Sequence, residues 1–273
     1  MDNTESKKNH IVHILCCGEL GRRFMDAFGN HPFPNVFCVY VDELRRDAGF
    51  RYALSPDEVV ILIAEYSHGL CDVIVSSEQL MVSFAQMALR FWVVHPNDRT
   101  LLGRERECMQ LEHGMTGRVA LAMPGGERQA ALGMVCGTIH DMIGSIYSNG
   151  YINFDSEDFV VPQRRHPNAY GTVFSASGPK GTALEDLAKD IQGQVGLFEE
   201  AEEAGGHKGL GDVFWAQWYI VTTDNDSVAL RSLEKSSERI LLILPENVWF
   251  NWSHSATVGG MNRTTLVIYR DIE

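Results

Sequence analysis

Four continuous apolar runs in the first hundred residues constrain the fold of this chain more than any other feature. They are IVHILCC (11–17), NVFCVYVDE (35–43), EVVILIAEY (58–66) and RFWVVHP (90–96). Each is short, and each is continuous rather than alternating in polarity. That is the pattern of strands buried on both faces, which occur in parallel sheets covered by helices. The segments between them supply the helices. Gly18 and Gly21 precede RRFMDAF, and SSEQLMVSFAQMAL (76–89) has helical spacing with Ser76 or Ser77 as its N-cap. The first half therefore reads as an α/β domain with a parallel sheet over 11–126, preceded by a polar, flexible stretch at 1–10.

A second constraint follows at ERQAALGMVCGTIHDMIGSIYS (127–148). Leu132, Val135, Ile139, Met142, Ile143 and Ile146 recur at helical spacing, and apolar residues occupy much of the circumference. Such a helix belongs between layers rather than on a surface. It stops at Asn149–Gly150. Beyond it the pattern mixes strands and helices. Strands are expected at 168–177, 212–223, 247–254 and 263–271, and helices at 181–195 and 225–244. The stretch EEAEEAGGHKGLG (199–211) reads as a polar, glycine-rich loop, and RILLIL (239–244) fits a helix or a strand by pattern alone. The result is a central helix at 127–149 and a smaller α+β domain at 150–273.

Composition narrows the function classes. The 273 residues carry a formal charge of −13, which argues against phosphate backbones and anionic membranes as partners. No run approaches the roughly eighteen apolar residues of a membrane span, and no secretory leader is visible. The six cysteines are scattered without a C-x-x-C and read as buried thiols of a cytoplasmic protein. Neither zinc spacing nor a nucleophile motif is present, so no metal site is expected.

One stretch concentrates polar chemistry. GYINFDSEDF (150–159) places Asn153, Asp155 and Asp158 in an N-x-D-x-x-D pattern among Ile152, Phe154 and Phe159. By itself this fits a helix start, with Asp155 capping and Asp158 favoured by the first-turn dipole. It supplies too few oxygens for a calcium loop.

The long helix, this acidic stretch and the following AYGTVFSASGPKGTALEDLAKDI together resemble the FtsZ/tubulin superfamily, FtsZ more than tubulin. There, a central helix is followed by a G-L-I-N-x-D-F-A-D loop, a strand ending near G-x-A-S-G, and an alanine-rich helix. LRFWVVHPNDRTLLGRER (89–106) is similar to the strand and loop leading to the family's G-R-x-R segment. SLEKSSERILLILPENVWFNWSHSATVGGMNRTTLVIYRDI is similar to its last helix and final strands, which assigns 230–244 to a helix. The resemblance spans roughly 11–272 and implies a Rossmann-like parallel-sheet domain, a long central helix and a smaller α+β domain. It implies GTP as the cofactor, if any. The implied partner is the chain itself or another FtsZ/tubulin-like subunit, joined head to tail. It also implies that Asn153, Asp155 and Asp158 act on a neighbouring subunit, where the acids polarise the attacking water.

The family's phosphate loops are not kept. Glycine is needed there for close approach to phosphate and for positive φ. The first loop, CCGELGRRF, has only Gly18 and Gly21, and SHGLCDV (67–73) has only Gly69 where G-G-G-T-G-T-G would stand. Glu19 and Asp72 place carboxylates in or near these loops, repulsive toward a triphosphate. A vestigial pocket would comprise Gly18, Gly21, Asp42, Gly69 and Arg106, with His68 and His95–Asp98 at its rim or in ordinary turns. The expectation is a non-canonical FtsZ/tubulin-like cytoskeletal protein. It assembles without GTP turnover of its own, or joins and regulates filaments of an intact relative. The alternatives are an active nucleotide-dependent filament-forming GTPase with unusual loops, and a non-polymerising adaptor using the tryptophan-rich second half.

Overall fold

The computed structural model describes residues 12–16, 18–28, 36–40, 59–65, 89–95, 117–122, 128–147, 152, 154, 158, 161, 165, 166, 169–206, 209–223, 230–256 and 260–271. The chain divides into two compact units, Met1–Ala120 and Leu121–Glu273.

In the first unit the four apolar runs form β1 (Val12–Cys16), β2 (Val36–Tyr40), β3 (Val59–Glu65) and β4 (Leu89–His95), and helix α1 spans Gly18–Phe28. A fifth strand, β5 (Gly117–Ala122), was not expected from sequence. GRVALA holds one β-branched residue and reads as neither period. The strand order is β2-β1-β3-β4-β5, and every pair in it is parallel. Val12 lies between Val36 and Val59, so the three strands start in step. Ile14, Cys16 and Ile63 are buried in the sheet. Helix α1 packs on it through Gly21, Phe24 and Phe28, with the two phenyl rings stacked 4.8 Å apart.

The second unit holds α2 (Arg128–Tyr147), β6 (Ala169–Pro179), α3 (Leu184–Ala204), β7 (Val213–Thr222), α4 (Leu230–Leu241), β8 (Trp249–Ala256) and β9 (Met261–Asp271). Its mixed sheet runs β6-β9-β7-β8, with β9 antiparallel to both neighbours and β8 parallel to β7. Alternation along the two central strands sorts the faces. Ala216, Trp218 and Ile220 of β7 join Leu266 and Ile268 of β9 in one core with α3 and α4. Gln217, Tyr219, Thr265 and Tyr269 alternate with these residues and carry a polar network instead. Helix α2 packs against β6, β7 and β8. Thr138, Ile139, Asp141, Met142, Ile143 and Ser145 are all buried, so the helix is enclosed round most of its circumference, as its composition predicts.

One reading of the second half is corrected, and the helix assigned to 230–244 is borne out but ends earlier. Helix α3 continues to Ala204, through the stretch read as the start of a loop. EEAEEA is a run of good helix formers, and its charges do not interrupt the helix. Glu202 pairs with the buried Arg270 at 3.1 Å, the same guanidinium donates to the Gly209 carbonyl at 3.1 Å, and it lies 4.8 Å over the Phe198 ring. The turn comes only at Gly205 and Gly206, the latter at φ 79°. RILLIL resolves as the end of a helix: α4 stops at Leu241 and a hydrogen-bonded turn follows. Ile240 and Leu244, four apart, point inward, while Leu242 is 82% exposed.

The tryptophans of the second unit divide between core and surface. Trp218 and Trp215 are buried and Trp252 partly so, whereas Trp249 is 57% exposed and stacks on Trp215 at 5.6 Å. Among the described cysteines, Cys16 and Cys136 are buried and take part in no disulfide, and burial pushes the Cys38 thiol up to about 12.

Candidate functional site

The topology of the first unit marks where a ligand would bind. In an open parallel sheet the crevice lies at the carboxyl ends of the strands, where the strand order reverses. Here that point falls between β1 and β3, at Cys16 and Glu65, with the start of α1 at Gly18 beside it. Gly21 is buried against β1, and a Cβ added there would meet the Cys16 carbonyl carbon at 2.7 Å. Its missing side chain therefore lets helix and strand approach closely, one of the three jobs glycines do in such motifs. Arg22 is exposed and leans over Tyr40 at the end of β2, 5.3 Å from the ring centroid, with its Nη2 donating to the hydroxyl at 3.5 Å. Asp42, Gly69 and Arg106 lie outside the described residues, as do His68 and Asp72.

The second unit carries the acidic segment. Asn153 and Asp155 lie outside the described residues, but Ile152, Phe154 and Asp158 are described and all three are held. The carbonyl of Ile152 accepts the His254 N–H at 2.9 Å, forming a bridge to β8. The Phe154 N–H donates to the Ser145 carbonyl at 3.1 Å, and its ring meets Tyr219 edge-on at 5.5 Å. The carbonyl of Asp158, in a 3₁₀ turn, accepts from Gln217 Nε2 at 2.9 Å. Gln217 is fully buried, and its Oε1 accepts the hydroxyls of Tyr219 at 2.8 Å and Tyr269 at 2.9 Å. Burial, and then the charges of Tyr269, Asp141 and Asp158, push the Tyr219 hydroxyl well above its ordinary value. Both hydroxyls stay protonated donors.

Deeper in the same unit lies an ion pair that the sequence reading passed over. Asp141, wholly buried on α2, accepts Nε and Nη2 of Arg263 from β9 and the Thr265 hydroxyl at 3.0 Å. Burial raises the Asp141 pKa, but Arg263 and the hydrogen bonds from His140 and Arg263 outweigh it and leave the carboxyl below its usual range. The available signal was one acid between Ile139 and Met142 in an otherwise apolar helix, since a buried carboxylate requires a partner. His254 is buried beside Thr222, its Nε2 3.0 Å from the hydroxyl, and burial lowers its pKa to about 4. Among the described residues no cluster of His, Cys, Asp and Glu is placed to share a metal ion, and no helix is long and apolar enough to cross a membrane.

A parallel sheet whose strand order reverses between β1 and β3, a buried long helix and a mixed four-stranded sheet with the acidic segment define an α/β architecture of the FtsZ/tubulin kind. Solved structures agree. An FtsZ variant from M. jannaschii matches over 96% of this chain and 91% of its own, with TM-score 0.63 and 12% identity. CetZ from Methanosaeta thermophila matches over 95% and 86%, with TM-score 0.55 and 14% identity. TubZ from Bacillus thuringiensis serovar israelensis, in a GTPγS-form protofilament, matches over 95% and 86%, with TM-score 0.51 and 8% identity. This chain has the FtsZ/tubulin fold. No family model matches its sequence, and no curated protein does.

Proposed function

We propose that this chain is a filament subunit of the FtsZ/tubulin kind whose own nucleotide pocket is degenerate. It assembles head to tail without GTP turnover of its own, or joins and regulates filaments of an intact relative. The observation that carries this reading is the contrast between two halves of one potential shared site. The acidic segment is anchored at Ile152, Phe154 and Asp158. In sequence the crevice at β1 and β3 lacks the glycine loops: Gly21 serves helix–strand packing, and the chain has Glu19, not glycine, in the first turn of α1, the end of a helix at which a phosphate would bind. Similar solved structures include an FtsZ dimer and TubZ protofilaments, which supports self-association as the use of this fold. In this reading Asn153, Asp155 and Asp158 serve the next subunit, the two acids by polarising a water in its pocket.

Sedimentation and negative-stain microscopy of the full chain, with GTP, with GDP and without nucleotide, test the assembly. Equal pelleting in all three conditions is expected. A chain that stays monomeric at high concentration and leaves filaments of a co-resident relative unchanged overturns the reading. Polymer that forms only with GTP supports the active-GTPase alternative.

A further inference from the structure

We infer that Gln217 is a positioning residue for the acidic segment, holding the main chain at Asp158 at a fixed height over the sheet through a clamp completed by Tyr219 and Tyr269. The inference deepens the proposed function, and its importance for assembly rests on that reading. The clamp itself rests on geometry alone.

Gln217 sits in the middle of β7, whose residues are buried except Phe214, which is partly exposed. A primary amide there is expensive unless its hydrogen-bonding groups are used. Each end is used. The Asp158 carbonyl can only accept, so the amide nitrogen faces it at 2.9 Å, and the oxygen is left to receive the two hydroxyls at 2.8 and 2.9 Å. Tyr219 and Tyr269 are themselves 1% and 0% exposed. Two central strands thus commit three buried polar side chains, 52 residues apart at the widest, to a group that reaches out of the sheet to the turn carrying Asp158. An apolar trio would pack the same space without orphaned polar atoms. What it would lose is the hold on the turn. Tyr219 doubles that hold, because its ring also meets Phe154 edge-on.

Two substitutions separate the hold from its support. Gln217→Glu keeps an oxygen for both hydroxyls but removes the N–H donor and turns a carboxylate toward the Asp158 carbonyl. Tyr269→Phe removes one supporting hydroxyl and leaves the donor in place. Hydrogen exchange read by peptide is the measurement. In Gln217→Glu, amides of 152–161 should exchange at least about tenfold faster, and by a larger factor than those of β7 and β9, which share only the general cost of the buried carboxylate. Tyr269→Phe should change the same amides less than about threefold. Unchanged exchange at 152–161 in Gln217→Glu overturns the inference, as does equal loosening of the whole sheet by both variants. If Gln217→Glu does not fold, Gln217→Met combined with Tyr219→Phe and Tyr269→Phe replaces it. That variant orphans no hydroxyl and should loosen only 152–161. In the pelleting assay Gln217→Glu should raise the concentration needed for assembly about tenfold. Pelleting of the unaltered chain tests the proposed function, and exchange tests the clamp, so failure of one is distinguishable from failure of the other.

Discussion

Replacing Arg263 with alanine is expected to destabilise the second unit by about 3–5 kcal/mol at neutral pH, because it strands a wholly buried carboxylate. Asp141 is fully enclosed on α2, and among the described residues its partners able to carry positive charge are Arg263 and the nearby His140. The effect should depend on pH in a definite direction. In the unaltered protein the Asp141 pKa is below its value of 3.8 in the unfolded chain, so its contribution is present above about 4 and is lost as pH falls through the lower native value. His254 acts in the same sense over a higher window. Its native pKa of about 4 lies below the unfolded 6.5, so stability declines as pH falls between the two. In Arg263→Ala the balance at Asp141 inverts. Burial is no longer offset by the guanidinium, the carboxyl pKa rises above 3.8, and its contribution falls as pH rises through the raised value. The gap between variant and unaltered protein should therefore be wide at pH 7 and narrow toward pH 4. The double variant Asp141→Leu, Arg263→Met should recover to within about 1 kcal/mol of the unaltered protein, since a buried pair contributes little beyond an apolar replacement. Urea unfolding followed by circular dichroism at the two pH values measures all of this. A loss under about 1 kcal/mol in Arg263→Ala, or a double variant as weak as the single, contradicts the assignment.

Trp218→Ala is expected to cost about 3–5 kcal/mol for a different reason, the cavity it leaves. Trp218 is 0% exposed at the centre of the core formed by β7, β9, α3 and α4, and its indole N–H donates to the Thr264 hydroxyl. Thr264 in turn donates to the Tyr219 carbonyl at 3.3 Å, so the hydroxyl keeps one partner when the indole is removed. Trp218→Phe should therefore lose only about 1–2 kcal/mol: it retains most of the ring volume and forfeits one hydrogen bond. The same unfolding assay distinguishes them. Equal losses for the two substitutions would show that the hydrogen bond, rather than packing, dominates at this position.

How much of this was legible beforehand depended on whether a signal was local. The strands of the first unit were readable because burial on both faces makes a strand continuously apolar: β1, β2, β3 and β4 fall within the four runs, apart from Leu89, one residue outside the fourth. The central helix was readable from its spacing, and 128–147 matches 127–148 to one residue at each end. Helix α3 was cut short because acidic residues beside glycines look like a loop, whereas Arg270, 68 positions away, gives Glu202 a partner. β5 escaped notice because its six residues carry no period of their own. The clearest limit is the site itself. Asn153, Asp155 and Asp158 stood out as a motif, but what holds their segment did not. Gln217 is 59 residues from Asp158, and Arg263 is 122 from Asp141. Neither glutamine nor arginine in a strand advertises a buried partner until the topology brings them together.

Equilibrium GTP binding to the purified chain, with turnover measured on the same sample, tests the central claim most directly. The claim is that this molecule keeps the acidic half of a shared site and has given up the phosphate half. The account predicts no saturable GTP binding in the micromolar range and no hydrolysis above the protein-free rate, alongside the nucleotide-independent assembly expected above. Micromolar GTP affinity with turnover that Asp155→Ala or Asp158→Ala abolishes would contradict it and establish an active GTPase on the same fold.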